Sequence, residues 1–203
     1  DVYKRQLYLT ATPFRSDREE DRIYQETFLN VPKIDLFDKD RDPRTRYISV
    51  LYNTYPTPGQ ERYCTNRYGF DRNRYCSYLI KNEQFYKILT IAMEMIFRTG
   101  KTLIYIGTNR AIQTVYDWII ENYPELKDQV GIYTTLITNK IEKEQQLDKM
   151  IILSTTKSCG AAIDIKGLKM TMVLGEVFKS KVIARQSLGR TRDKDTTYID
   201  FVD

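Results

Sequence analysis

The second half of the chain alternates short β-branched runs with helical stretches, and that rhythm restricts the fold more than any other feature. Strand-like runs are expected over residues 102–107, 130–133, 150–154, 170–174 and 196–202. Helical patterns are expected between them, over 110–123, 140–149 and 181–188. Strands joined through helices return to the same end of a sheet, so they pair side by side in one direction. The expected fold class is therefore α/β, a parallel β-sheet flanked by helices.

The first half is less regular. An apolar run over 6–9 stops at Thr10-Ala11-Thr12-Pro13, where proline ends ladder pairing. Residues 15–42 are charged and net acidic, with a short helix expected over 20–28. Residues 47–52 alternate like a strand, and Pro56, Pro58 and Gly59 break it. From 71 to 98 the pattern predicts two helices meeting near Asn82. The chain opens without methionine on Asp1-Val-Tyr-Lys-Arg-Gln6, which reads as a translated adapter, so a longer protein upstream is expected. Three regions follow from this pass: 1–15, a basic and tyrosine-rich linking region over 16–99, and a core over 100–203.

Composition excludes several chemistries. With no histidine, Ser-His-Asp and Cys-His catalysis and imidazole-bearing metal sites are ruled out. Cys64, Cys76 and Cys159 form no C-x-x-C pair, so three reduced, partly buried thiols are expected and no metal site. No apolar stretch is long enough to span a membrane, and the N-terminus lacks a signal-peptide layout, which points to an intracellular protein. The net charge of +5 suits a phosphate-bearing partner. Its distribution says more: between residues 41 and 81, eight Lys and Arg, among them Arg67, Arg72 and Arg74, stand against three acidic residues. Eight of the sixteen tyrosines fall between Tyr47 and Tyr86. Two readings fit that stretch. Arginines could neutralise phosphates while rings stack on bases, or a tyrosine-rich core could carry a solvated arginine face.

The sharpest motif is Gln186-Ser187-Leu188-Gly189-Arg190-Thr191-Arg192, between an expected helix and an expected strand. Paired guanidiniums beside a glycine suit contact with anionic oxygens, since arginine keeps its charge and offers a planar fork of donors. A solvated basic helix end is the plainer reading. By contrast, Gly100-Lys101-Thr102 is no phosphate-binding loop. That loop needs a glycine where Met95 stands, and it runs from strand to helix, whereas here a helix leads into a strand. Gly100 is expected to end the helix.

The Gln-x-x-Gly-Arg segment resembles motif VI of superfamily 2 helicases of the phage type. Other motifs of that family arrive in order. Thr10-Ala11-Thr12-Pro13 resembles motif III, Leu103 through Thr108-Asn109 motif IV, and Ile152 through Thr156 to Ala161-Ala162-Ile163-Asp164 motif V. Asp164 stands eight positions after Thr156, as in the family, while Ala162 replaces the usual glycine and Arg192 comes one residue ahead of the family spacing. The resemblance implies a P-loop NTPase-like second helicase domain, RecA-like but lacking the P-loop, with 1–15 a remnant of the first domain. It implies an ATP-dependent helicase or translocase whose ATP and Mg²⁺ are held mainly by that absent first RecA-like domain. It assigns the arginine finger to Arg190 or Arg192, nucleotide contacts to Asp164, Gln186 and Gly189, and coupling to Thr10 and Thr12. Strand-backbone contacts fall to Thr108, Asn109, Thr134, Thr156 and Lys157, joined by Arg67, Arg72 and Arg74 from the basic stretch. The implied partner is DNA, with RNA also open, in the cytoplasm of a bacterial or phage-infected cell. A non-motor nucleic-acid-binding α/β module and the motor subunit of a restriction system remain alternatives.

Overall fold

The computed structural model describes residues 18–27, 29, 45–159, 163–175 and 196–203. An N-terminal helix, α1, covers Arg18–Thr27. The centre of the fold is a six-stranded sheet built from β1 (Thr45–Leu51), β4 (Thr102–Tyr105), β5 (Val130–Tyr133), β6 (Ile151–Ser154), β7 (Met170–Leu174) and β8 (Thr196–Val202). Its order is β1-β8-β7-β4-β6-β5, and every neighbouring pair is parallel. The inner strands β4, β6 and β7 are buried along their whole length. Strands covered on both faces need apolar residues throughout, which is why they read as continuous runs. Thr45–Leu51, from the stretch expected to link two regions, is an edge strand of this same sheet, in register with β8 from Thr45↔Thr196 to Leu51↔Val202.

Side-chain alternation sorts the strands' residues into two cores. Ile104, Ile151, Leu153, Met172, Leu174, Ile199 and Phe201 point to one face. Leu103, Tyr105, Ile152, Val173 and Tyr198 belong to the other, where Cys159, Ile165 and Leu168 join them. The first face is covered by α3 (Arg72–Leu79), α4 (Glu83–Thr99) and α5 (Asn109–Asn122). Within α4, Phe85, Leu89, Ala92, Met93 and Ile96 are buried, a spacing that makes one helical stripe. Asn82 accepts a hydrogen bond from the Gln84 amide at its start, and Gly100, at φ 99°, closes its end. The helix-to-strand order around Gly100-Lys101-Thr102 is thus the one expected, and the junction near Asn82 separates α3 from α4.

Two small elements escape the sequence pattern. Pro58–Tyr63 forms the helix α2, where the proline cluster led to expectation of a simple break. Pro58 occupies the first helical position, where no N–H is needed, and Thr57 and Gln60 form a reciprocal capping box. Next comes a two-residue ribbon, β2 (Thr65–Asn66) against β3 (Gly69–Phe70). Strands this short carry no readable period. The helix α6 (Lys140–Gln145), the last among the described residues, is shorter than expected and gives way to a 3₁₀ turn over Gln146–Asp148. All three cysteines are buried and none forms a disulfide.

Candidate functional site

Because the strands are parallel, their carboxyl ends and the loops that leave them gather on one edge, where ligands bind in open α/β sheets. Three of those loops, after the adjacent strands β4, β6 and β5, carry residues singled out from the sequence. After β4, Thr108 caps α5 by accepting from the Ala111 amide at 3.2 Å. Asn109 follows, and its buried Oδ1 has no hydrogen-bond partner among the described residues. After β5, Thr134 is buried and accepts from the Leu136 amide at 3.3 Å. After β6, Thr155 Oγ1 accepts from the Ser158 amide at 3.1 Å and donates to Ser158 Oγ at 2.9 Å. Ser158 Oγ in turn accepts from the Thr135 amide at 3.2 Å, which ties the β5 and β6 loops together. Ser158 was not anticipated, because its role depends on a loop that is remote in sequence.

The strand order places Thr108, Asn109, Thr134, Thr156 and Lys157 in the loops after neighbouring strands. They differ in access: Thr134 and Thr156 retain 3% and 8% of their surface, whereas Lys157 is exposed. Asp164 is exposed too, between Ile163 and the buried Ile165. Thr10, Thr12, Gln186, Gly189, Arg190 and Arg192 lie outside the described residues, as does the helix expected over 181–188.

The three arginines singled out in the basic stretch, Arg67, Arg72 and Arg74, have different surroundings. Arg72 turns inward and donates from Nη2 to the Gly107 carbonyl, linking α3 to the loop that starts α5. Arg74 donates to the Thr65 carbonyl at 3.2 Å and pairs with Asp71 at 3.6 Å. Arg67 lies over the Tyr68 ring, 4.5 Å from its centroid, and is exposed. Asp71 caps α3, and its carboxyl is held below the ordinary range, first by the Arg74 amide.

Two interlocked contacts seat α3 on the same edge. Cys76 Sγ lies 3.3 Å from the Gly175 carbonyl, just beyond β7. Gly107 packs so closely beneath that a Cβ there would collide with Cys76 Sγ and sit 3.0 Å from the Gly175 oxygen. Further along the edge, Asp203 accepts from the Thr54 amide at 2.8 Å, the Thr54 hydroxyl at 2.6 Å and the Tyr75 hydroxyl at 3.1 Å. Burial pushes Tyr75 up and Tyr52 up to about 12. Sequence reading missed this cluster too, since it joins the segment after β1, the helix α3 and the residue after β8.

Neither a protein-family model nor a curated protein matches the chain. Solved structures do. T4 UvsW is similar with a TM-score of 0.57 and 14% identity, over 79% of this chain and 33% of that one. S. cerevisiae Dbp5 L327V bound to RNA and ADP BeF3 is similar with a TM-score of 0.51 and 14% identity, over 92% of this chain and 43% of that one. The shared fold is RecA-like, a parallel β-sheet flanked by helices. At this identity the likeness concerns the fold alone, and this RecA-like domain spans less than half of either protein. Among the described residues of the domain, no helix is long and apolar enough to cross a membrane.

Proposed function

We propose that the chain serves as the second RecA-like domain of an ATP-driven nucleic-acid helicase or translocase, holding a strand at the carboxyl edge of its sheet. The observation that carries the reading is the convergence of Thr108, Asn109, Thr134, Thr156 and Lys157 on three adjacent strand ends. Small hydroxyl and amide groups with one exposed ammonium suit a phosphate backbone, and contacts to the backbone suit a motor that must move over any sequence. DNA is the proposed strand, and an RNA strand would meet the same groups.

The chain's fit to ATP and Mg²⁺ is that of a contributor across a cleft. The sequence has no phosphate-binding loop, and among the described residues no group of acidic side chains could seat the ion. What the chain offers is the exposed carboxylate of Asp164 and the guanidiniums of Arg190 and Arg192. Bound to a partner RecA-like domain, ATP supplies a phosphoryl group whose transfer develops negative charge. An arginine from this chain would stabilise that charge.

The test is nucleic-acid-stimulated ATP hydrolysis by the domain joined to a first RecA-like domain, with Arg190→Ala and Arg192→Ala compared. Loss of turnover in at least one variant with nucleotide binding intact is expected. Parent-like turnover in both, with the fold retained, overturns the finger assignment.

A further inference from the structure

The ribbon between α2 and α3 carries aromatic surface that the fold leaves uncovered. Tyr68, at its turn, is 80% exposed and Phe70 41%, and Tyr63, the last residue of α2 beside it, is 50% exposed. Large rings clustered in water on so small an element are costly unless something covers them. The ribbon is nonetheless held firmly. The Asp71 amide donates to the Cys64 carbonyl at 2.8 Å and closes its base. Asn66 Oδ1 accepts from the Tyr68 amide at 2.8 Å, and Gly69, at φ 103°, takes the left-handed conformation that the turn requires.

We propose that this ribbon is a base-stacking platform for single-stranded nucleic acid, beside the strand-end loops and distinct from them. The proposal rests on the nucleic-acid reading above and names a second point of contact. Charge argues for this occupant. The Arg67 guanidinium lies 4.5 Å from the Tyr68 centroid and that of Arg74 lies 5.8 Å from the Tyr63 centroid, so each ring carries a cation. Asp71, one of two acidic residues near them, already accepts from the Asn73 and Arg74 amides and from Asn66. Planar rings with adjacent cations match a single strand, which offers a flat base and a phosphate at every step.

Position supports it as well. The residue after the ribbon's closing pair is Arg72, tied to the Gly107 carbonyl, and Cys76 one turn on meets the Gly175 carbonyl. The ribbon therefore stands next to the loop that carries Thr108 and Asn109. Arg72 is its anchor, and Arg67 with Tyr68 its working tip.

The test compares an oligothymidylate with an abasic strand of equal length, by fluorescence anisotropy on the 203-residue chain. The abasic strand keeps every phosphate and lacks every base. Tyr68→Ala is expected to weaken oligothymidylate binding about tenfold and leave the abasic strand unaffected. Tyr68→Phe should restore the affinity, because stacking needs only the ring. Arg67→Ala should weaken both strands alike. Unchanged oligothymidylate affinity in Tyr68→Ala would overturn the proposal and assign the exposed rings to a protein surface. Equal losses on the two strands would also overturn it, as would a Tyr68→Phe variant no better than Tyr68→Ala. If the parent binds neither strand, the nucleic-acid reading itself falls, and the platform with it.

Discussion

Gly107 is the position where a single methyl group should be felt most. It lies between β4 and the cap of α5, and an added Cβ would overlap Cys76 Sγ, approach the Gly175 carbonyl to 3.0 Å and stand 3.5 Å from Arg72 Nε. Neither of the two closest neighbours can swing away. Cys76 is 1% exposed inside α3, and the Gly175 oxygen is backbone directly beyond β7. Gly107→Ala must therefore shift α3 or the loop, and overpacking of this kind costs about 1–3 kcal/mol. For a chain of this size each kcal/mol lowers the melting temperature by roughly 2–4 °C, so a drop of about 2–12 °C is expected. Cys76→Ala alone should cost about 1 kcal/mol through lost packing. In the Gly107→Ala background the vacated sulfur site receives the new methyl, so the second change should restore stability. Urea unfolding followed by circular dichroism on all four proteins gives the coupling, expected at about 1–2 kcal/mol. The reasoning is refuted if Gly107→Ala stays within about 0.5 kcal/mol of the parent. It is equally refuted if Cys76→Ala adds its full cost on top.

Four further outcomes are expected. The 203-residue chain by itself should show no ATP turnover above buffer, since it contains no phosphate-binding loop; turnover that persists through purification and vanishes with Arg190→Ala would contradict this. Joined to a first RecA-like domain, Arg190→Ala or Arg192→Ala should slow hydrolysis on the order of 10³-fold with little change in nucleotide affinity, as measured by single-turnover kinetics. Lys157→Ala should weaken nucleic-acid binding alike on all sequences and reduce the slope of log K against log salt by about 1, if its exposed ammonium neutralises one phosphate. Burial raises the carboxyl of Asp200, so the folded state favours its protonated form. Its contribution is therefore present below the unfolded value near ~3.9 and is lost as pH rises through the folded value. Asp200→Asn should then unfold at higher urea than the parent at neutral pH, with the gain vanishing below that unfolded value.

What the sequence determined by itself was local. The apolar runs of β4, β6 and β7 and the stripe on α4 are periodic over a few residues, and their stops are chemical: Asn82, Gly100 and Thr108 cap the helices where such residues should. Parallel strands joined through helices also imply that the strand-end loops share one edge. Thr108, Asn109, Thr134 and Thr156 were therefore legible as strand-end residues of one edge, and the strand order that makes their loops adjacent came from the tertiary structure. The tertiary structure decided what depends on partners far along the chain. β1 pairs with β8 across some 150 residues, and no local pattern records which distant strand covers an edge. Arg67, Arg72 and Arg74 had one appearance in sequence, as members of a single basic stretch. Folding separated them, because the Gly107 carbonyl lies within reach of Arg72 and leaves Arg67 at the ribbon tip with Tyr68. The two-residue strands of that ribbon carry too little periodicity to announce themselves. Burial also altered the weight of the hydroxyls: Thr134 and Thr156 are nearly covered, and Lys157 beside them is open to solvent. A residue type tells what a side chain can bond, but only the packing around it settles whether a ligand can reach it.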